Sequence, residues 1–137
     1  ECIIWGGNFF TDKLPVNGHW IFWDKKNTMP TFGDGELAYT TFARNSVKQV
    51  TIQYNGLLGK EQNRIHATQK PVKLYKWLLH NYAKQGDTIF DSHMGSQSSR
   101  IAAYDMGFDF TGCELDKDYF ESGCKRFENF KAQLKLF

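Results

Sequence analysis

No part of this 137-residue chain contains an apolar run approaching the roughly 20 residues that a membrane helix requires. The opening, Glu1-Cys2-Ile3-Ile4-Trp5-Gly6-Gly7, lacks both the basic lead and the long apolar core of a secretory signal. These absences predict a cytoplasmic protein with no membrane partner. Cysteine is scarce: Cys2, Cys113 and Cys124 are an odd number with no Cys-x-x-Cys spacing. That excludes a disulfide framework and a cysteine-based zinc site, and leaves three reduced thiols expected to be mostly buried. A dominant charge is also missing, since 17 basic residues stand against 15 acidic ones. Net charge alone therefore names no partner.

Hydrophobic residues make up 41% of the chain and charged residues 23%, a balance that supports a packed core rather than disorder. The length suits one domain, taken as residues 1–137. Charge is unevenly placed. Residues 44 to 76 hold Arg44, Lys48, Lys60, Arg64, Lys70, Lys73 and Lys76 against the single acid Glu61. A locally basic stretch beside a glycine-containing loop suits phosphate contacts, although a solvated face balanced by acids elsewhere explains it as well.

Strand and helix signals alternate along the chain. Ile3-Ile4-Trp5, stopped by Gly6-Gly7-Asn8, reads as the carboxyl end of a buried parallel strand. Residues 19–24 and 36–42 read as two strands of a long-looped hairpin, and 50–54 as a half-exposed strand before the loop 55–64. From Pro71 a helix is expected, with Val72, Tyr75, Leu78, Leu79 and Tyr82 on its buried face and an end at Gln85-Gly86-Asp87. Thr88-Ile89-Phe90-Asp91 is a strand. The polar turn Ser92 to Gln97 leads to a helix capped by Ser98 or Ser99 and stopped at Gly107. A further strand, Phe110 to Glu114, precedes a last helix with Phe120, Cys124, Phe127, Phe130 and Leu134 on one stripe. The strand-helix-strand unit predicts two adjacent parallel strands.

Ligands of such sheets sit at the carboxyl ends of the strands, where Asp91, the Gly95 turn and Glu114 converge. A turn of small residues admits a ligand close to the backbone, and an acid 23 positions after Asp91 is placed to accept hydrogen bonds from ribose hydroxyls. A nucleoside-containing ligand fits. The turn is not Gly-x-Gly-x-x-Gly, and Asp91 would repel a pyrophosphate while attracting an ammonium group. The pattern favours S-adenosylmethionine over a dinucleotide.

Four blocks carry a closer likeness: Ile3 to Phe10 (Ile-Ile-Trp-Gly-Gly-Asn-Phe-Phe), Trp20 to Lys25 (Trp-Ile-Phe-Trp-Asp-Lys), His66 to Pro71 (His-Ala-Thr-Gln-Lys-Pro) and Phe90 to Ser99. In this order they resemble phage and prokaryotic S-adenosylmethionine-dependent DNA amino-methyltransferases, over nearly the whole chain. The resemblance implies an α/β, Rossmann-like doubly wound fold with a mostly parallel sheet. It implies a cofactor pocket lined by Thr68, Gln69, Lys70 and Pro71 and by Asp91, Ser92, His93, Gly95, Ser96, Gln97 and Ser98, with Glu114 as the ribose acid. It also implies double-stranded DNA as substrate and methyl transfer to the exocyclic amine of adenine, or less favourably cytosine. Lys60 and Arg64 are the expected DNA contacts, on loop position and charge.

Two departures stand out. Gln97 occupies the place where the family usually has a second glycine, so a positive φ there would strain the turn or crowd the ligand. The family's catalytic block, a polar residue followed by Pro-Pro and an aromatic, is absent: Pro15, Pro30 and Pro71 are the only prolines and none are adjacent. That block orients and stacks a flipped base, so no catalytic residue is assigned. The fold is expected to be incomplete at its amino end. The missing strand would be supplied by direct pairing, a homo-oligomer partner or a preceding segment. The alternative reading is a non-catalytic remnant or a DNA- and cofactor-binding module. His66 is read as packing or capping, His93 as exposed, and His19 and His80 as no part of a metal site. Trp5, Phe9, Phe10, Trp20 and Trp23, at strand spacing, are read mainly as core.

Overall fold

A computed structural model describes residues 1–27, 30–31, 33–54 and 64–134. The chain divides into two compact units, Glu1–Lys60 and Glu61–Phe137. In the first, alternation of apolar residues over 20–24 produces strand β2 (Trp20–Asp24), whose Ile21 and Trp23 are buried while their neighbours are half-exposed. It pairs antiparallel with β3 (Gly35–Thr40), placing Ile21 opposite Ala38, so the expected hairpin forms. The remaining strands are β1 (Ile3–Trp5) and β4 (Lys48–Thr51), in the sheet order β1-β3-β2-β4.

Two strands of this unit differ from expectation. β1 is half-buried and antiparallel to β3, with Ile3 opposite Thr40 and Trp5 opposite Ala38. A three-residue apolar run carries no information about direction, and the free edge of β3 accepts it in this sense. β4 begins two residues before the alternating stretch and runs parallel to β2, its register set by the pairs from Ile21 with Lys48 to Asp24 with Thr51. Only Val50 of the strand is buried, as suits an edge strand.

The second unit begins with helix α1 (Val72–Tyr82), entered through Pro71, which is extended and serves as N-cap. Its buried face includes the expected Leu78 and Leu79, and also Leu74, which is fully buried. Strands β5 (Thr88–Asp91) and β6 (Asp109–Gly112) are parallel and adjacent, joined through α2 (Ser98–Asp105). The chain is therefore mixed α/β, with parallel pairing at β5–β6 and β2–β4 and antiparallel pairing on both sides of β3. β1 and β5 lie in separate sheets. Leu79 of α1 and Ala102 and Ala103 of α2 form a core against which Val72, Tyr75, Ile89, Phe108 and Phe110 pack. Small residues on α2 let the two helices approach closely.

The end of α2 follows from Gly107, whose φ of 75° is left-handed. Gly107 N–H bonds Tyr104 C=O and Phe108 N–H bonds Ala103 C=O, the paired bonds of a Schellman motif, which turns the chain into β6. Its start differs from expectation: Gln97, not a serine, occupies the N-cap, and Ser98 and Ser99 lie buried inside the helix. Helix α3 (Lys117–Leu134) closes the unit, with Phe127 buried but Phe120 42% exposed. The cysteines are less buried than expected, Cys2 and Cys113 being exposed and Cys124 partly so. Cys113 lies just past the last ladder pair of β6.

Leu74→Ala should lower the unfolding free energy by about 2–5 kcal/mol in urea titrations, whereas Lys73→Ala, on the exposed face, should stay within about 0.5 kcal/mol. Equal effects would show that α1 packs through another face.

Candidate cofactor site

The carboxyl ends of β5 and β6 bring Asp91 and the approach to Glu114 side by side. The ladder extends beyond the strands, since Cys113 N–H bonds Asp91 C=O and Met94 N–H bonds Cys113 C=O, both at 2.9 Å. The turn between Asp91 and α2 is thereby fastened to the outgoing end of β6. Asp91 organises its start: Oδ1 accepts from His93 N–H at 2.9 Å and Oδ2 from Ser99 Oγ at 2.5 Å. Ser92 and His93 are exposed, with Ser92 Oγ 2.8 Å from His93 Nδ1. Ser96, Gln97 and Ser98 are buried, and Ser96 Oγ lies 3.1 Å from Ser98 Oγ.

Gly95 is left-handed at φ 50°, and its N–H donates to Glu114 Oε2 at 2.7 Å. Glu114 Oε1 accepts from Asp116 N–H at 3.0 Å. These bonds stabilise the anion. Asp116 N–H, followed by Gly95 N–H, Leu115 N–H and the nearby His66, holds the Glu114 carboxyl below its ordinary range against an opposing effect of partial burial.

His66 joins the segment before α1 to this turn. Its ring packs against Tyr119 with centroids 4.2 Å apart and planes inclined at 53°, and a Cβ added at Gly95 would lie 3.4 Å from its Cδ2. Its Nδ1 accepts from Thr68 N–H at 3.2 Å, and Gln69 N–H bonds its carbonyl. Gln69 is buried, its Oε1 accepting from Ile65 N–H at 3.0 Å. Thr68 is exposed, Lys70 half-buried and Pro71 buried. His66 thus packs, as expected, and does so against the turn.

Of the two expected DNA contacts, Lys60 lies outside the described residues. Arg64 is exposed, but its guanidinium bonds the carbonyls of His66 and Ala67 in its own segment. The basic stretch is also partly neutralised, because Lys76 pairs with Asp105.

Two residues of this region, Arg126 and Tyr119, are not marked individually by the sequence, and Ser99, expected as a helix cap, has another role. Ser99 holds Asp91. Arg126 donates to Ser96 C=O at 2.7 Å and Ser98 Oγ at 3.0 Å. Tyr119 carries the His66 ring. Tyr119, Gly123 and Arg126 recur at helical spacing on α3, a signal that was present but overshadowed by the phenylalanine stripe beside it.

In the first unit, Trp23 is buried, with Trp5 and Tyr54 rings 6.1 and 6.0 Å away, and Trp20 meets Tyr39 at 5.4 Å. Of the five aromatics expected mainly in the core, Trp23 is buried and Trp5, Phe10 and Trp20 are half-exposed. Phe9, after the Trp5-Gly6-Gly7-Asn8 block, is instead 87% exposed. Among the described residues no cluster of metal-ligating side chains occurs, and buried His19 bonds Ser46 C=O.

A family model described as DNA methylase, of the N6/N4 methyltransferase group, matches residues 11–125. The chain belongs to this DNA methylase family. It is 28% identical to the type II methyltransferase M2.DpnII of Streptococcus pneumoniae, over 79% of this chain and 50% of that protein. With the type II methyltransferase M2.MboI of Moraxella bovis it shares 24% identity, over 93% of this chain and 47% of that protein. The chain thus spans about half the length of the curated relatives it matches. Among solved structures, a complex of M1.HpyAVI with S-adenosylmethionine superposes with a TM-score of 0.64 at 23% identity, over 78% of this chain and 60% of that one. Another structure of M1.HpyAVI gives 0.62 at 19% identity, over 92% and 71%. The methyltransferase fold expected from the sequence is the fold these neighbours share. Among the described residues no helix is long and apolar enough to cross a membrane.

A carboxylate depressed in the folded state stabilises above its ordinary value of 4.5 and loses that contribution as pH falls through the lowered folded value. Wild type should therefore lose more stability than Glu114→Gln between about pH 6 and about pH 3 in urea titrations; parallel losses would show that Glu114 is not held as an anion.

Proposed function

We propose that this chain carries the S-adenosylmethionine pocket of a DNA amino-methyltransferase, and that the activity of the complete protein is methyl transfer to the exocyclic amine of adenine in double-stranded DNA, with cytosine the alternative. One observation carries the reading. Two carboxylates, Asp91 at the end of β5 and Glu114 just after β6, lie beyond adjacent parallel strands, and a left-handed glycine donates its N–H to Glu114. This acceptor set suits a ligand whose hydroxyls and ammonium group donate, and it opposes a phosphate. When bound, the cofactor supplies an electrophilic methyl group on a sulfonium.

The residues have distinct tasks in this reading. Glu114, already ordered by backbone N–H groups, accepts the ribose hydroxyls with its remaining lone pairs. Asp91, with Ser92 and His93, faces the ammonium end. Gly95 allows close approach of the backbone, while Thr68, Gln69, Lys70 and Pro71 form a wall and Ser96, Gln97 and Ser98 underlie the turn. Lys60 and Arg64 contact DNA phosphate, Arg64 through donors other than those it gives to its own segment. A second reading is a chain that binds cofactor without transferring the methyl group.

Calorimetric titration with S-adenosylmethionine and its demethylated product tests the pocket. Saturable binding is expected, weakened roughly ten- to hundredfold in both Asp91→Ala and Glu114→Ala. No binding to a folded chain would overturn the reading. Methyl transfer to DNA by this chain alone would sink the second reading, and hydrolysis of the methylated DNA to nucleosides would distinguish adenine from cytosine.

A further inference from the structure

Gln97 should be an unfavourable residue where it stands. Its φ of 59° and ψ of 27° are left-handed, a conformation that costs a residue with a Cβ, and its side chain is fully buried. Its amide is nevertheless satisfied. Nε2 donates to Phe120 C=O at 3.1 Å and toward Cys124 Sγ at 3.4 Å, and Oε1 accepts from Arg100 Nη1 at 2.9 Å. The side chain is therefore directed onto α3.

Gly123 makes this possible. A Cβ added there would lie 2.7 Å from Gln97 Cγ and Nε2 and 2.8 Å from its Cδ, closer than real contacts allow. Glycine in the interior of an 18-residue helix is itself unfavourable. Two locally poor choices thus meet in one contact, where the glycine is a notch and the glutamine fills it. Arg126 provides a second attachment one turn further along α3.

We infer that Gln97 is a positioning residue for the cofactor turn: seated in the notch over Gly123, it clamps residues 95–98 to α3 and keeps Gly95 N–H aimed at Glu114. The cofactor role rests on the function proposed above; the clamp itself does not. Gln97 replaces the conformational freedom of a glycine turn with a tethered side chain, which lowers the ordering cost of binding.

The experiment is a stability cycle in the full chain, with amide exchange and calorimetry on the same variants. Gly123→Ala should raise the unfolding constant roughly ten- to hundredfold. In the Gln97→Gly background the same change should reverse sign and lower it roughly fourfold, because alanine is then simply the better helix residue. The same direction in both backgrounds would overturn the pairing. Gln97→Gly should also speed exchange of the Gly95 and Ser96 amides and weaken binding of the demethylated cofactor at least fivefold. Unchanged exchange would overturn the positioning role whether or not cofactor binds. If wild type binds no cofactor, the function proposed above fails, while the cycle and the exchange still decide the clamp.

Discussion

A carboxylate fixed by backbone N–H groups is the constraint from which the second unit takes its arrangement. Glu114 bonds Gly95 and Asp116 N–H, so the turn after β5 and the chain leaving β6 share one anion. Hydrogen bonds to a charged acceptor are the stronger kind, and this one spans 19 positions. Asp91 performs the matching task on β5, ordering the turn through His93 N–H and Ser99 Oγ. Charges that would be costly if buried without partners thus shape a loop that the sheet alone could not.

The first unit relies on a different interaction. Its sheet is organised around Trp23, whose indole N–H bonds Ile52 C=O at 3.0 Å and whose ring carries Lys25 at 4.8 Å. Lys25 also pairs with Glu36 at 2.5 Å, joining the strands at the loop end of the hairpin. Asp24 accepts from Lys26 N–H and from Thr51 Oγ1, which fastens the end of β2 to β4. The Lys26 N–H bond is the main cause of the lowered Asp24 carboxyl value. In both units a strand ends in an aspartate that accepts the backbone N–H two residues on, a local device that stops a strand and starts a turn.

Much of this was legible because periodicity and local chemistry agreed. β5 matches its predicted span, the β2–β3 hairpin forms, and α1 starts after Pro71 with Leu78 and Leu79 inward. The convergence of Asp91, Gly95 and Glu114 also followed from the strand-helix-strand order alone. What escaped notice depends on partners remote in sequence. The direction of β1 is set by the edge of β3, and the register of β4 by β2. Leu74 is buried although the stripe chosen for α1 passed beside it. Gln97 reads from sequence as a strained position, but the direction of its side chain depends on Gly123, 26 residues later. Arg126 likewise reads as a surface cation until α3 is packed against the turn.

The fit between Gln97 and Gly123 also restricts the order in which such a sequence can arise. From a starting point of glycine at 97 and alanine at 123, glutamine introduced first would meet a methyl group where its own side chain must go. Glycine at 123 introduced first costs only helix propensity and leaves a vacancy that glutamine then occupies. The passable route opens the helix before filling the turn. Once filled, the route is hard to retrace through position 123, because restoring the methyl group there strands a buried amide. Each of the two residues is thus held in place by the other, and a change at one position is tolerated only with a matching change at the second.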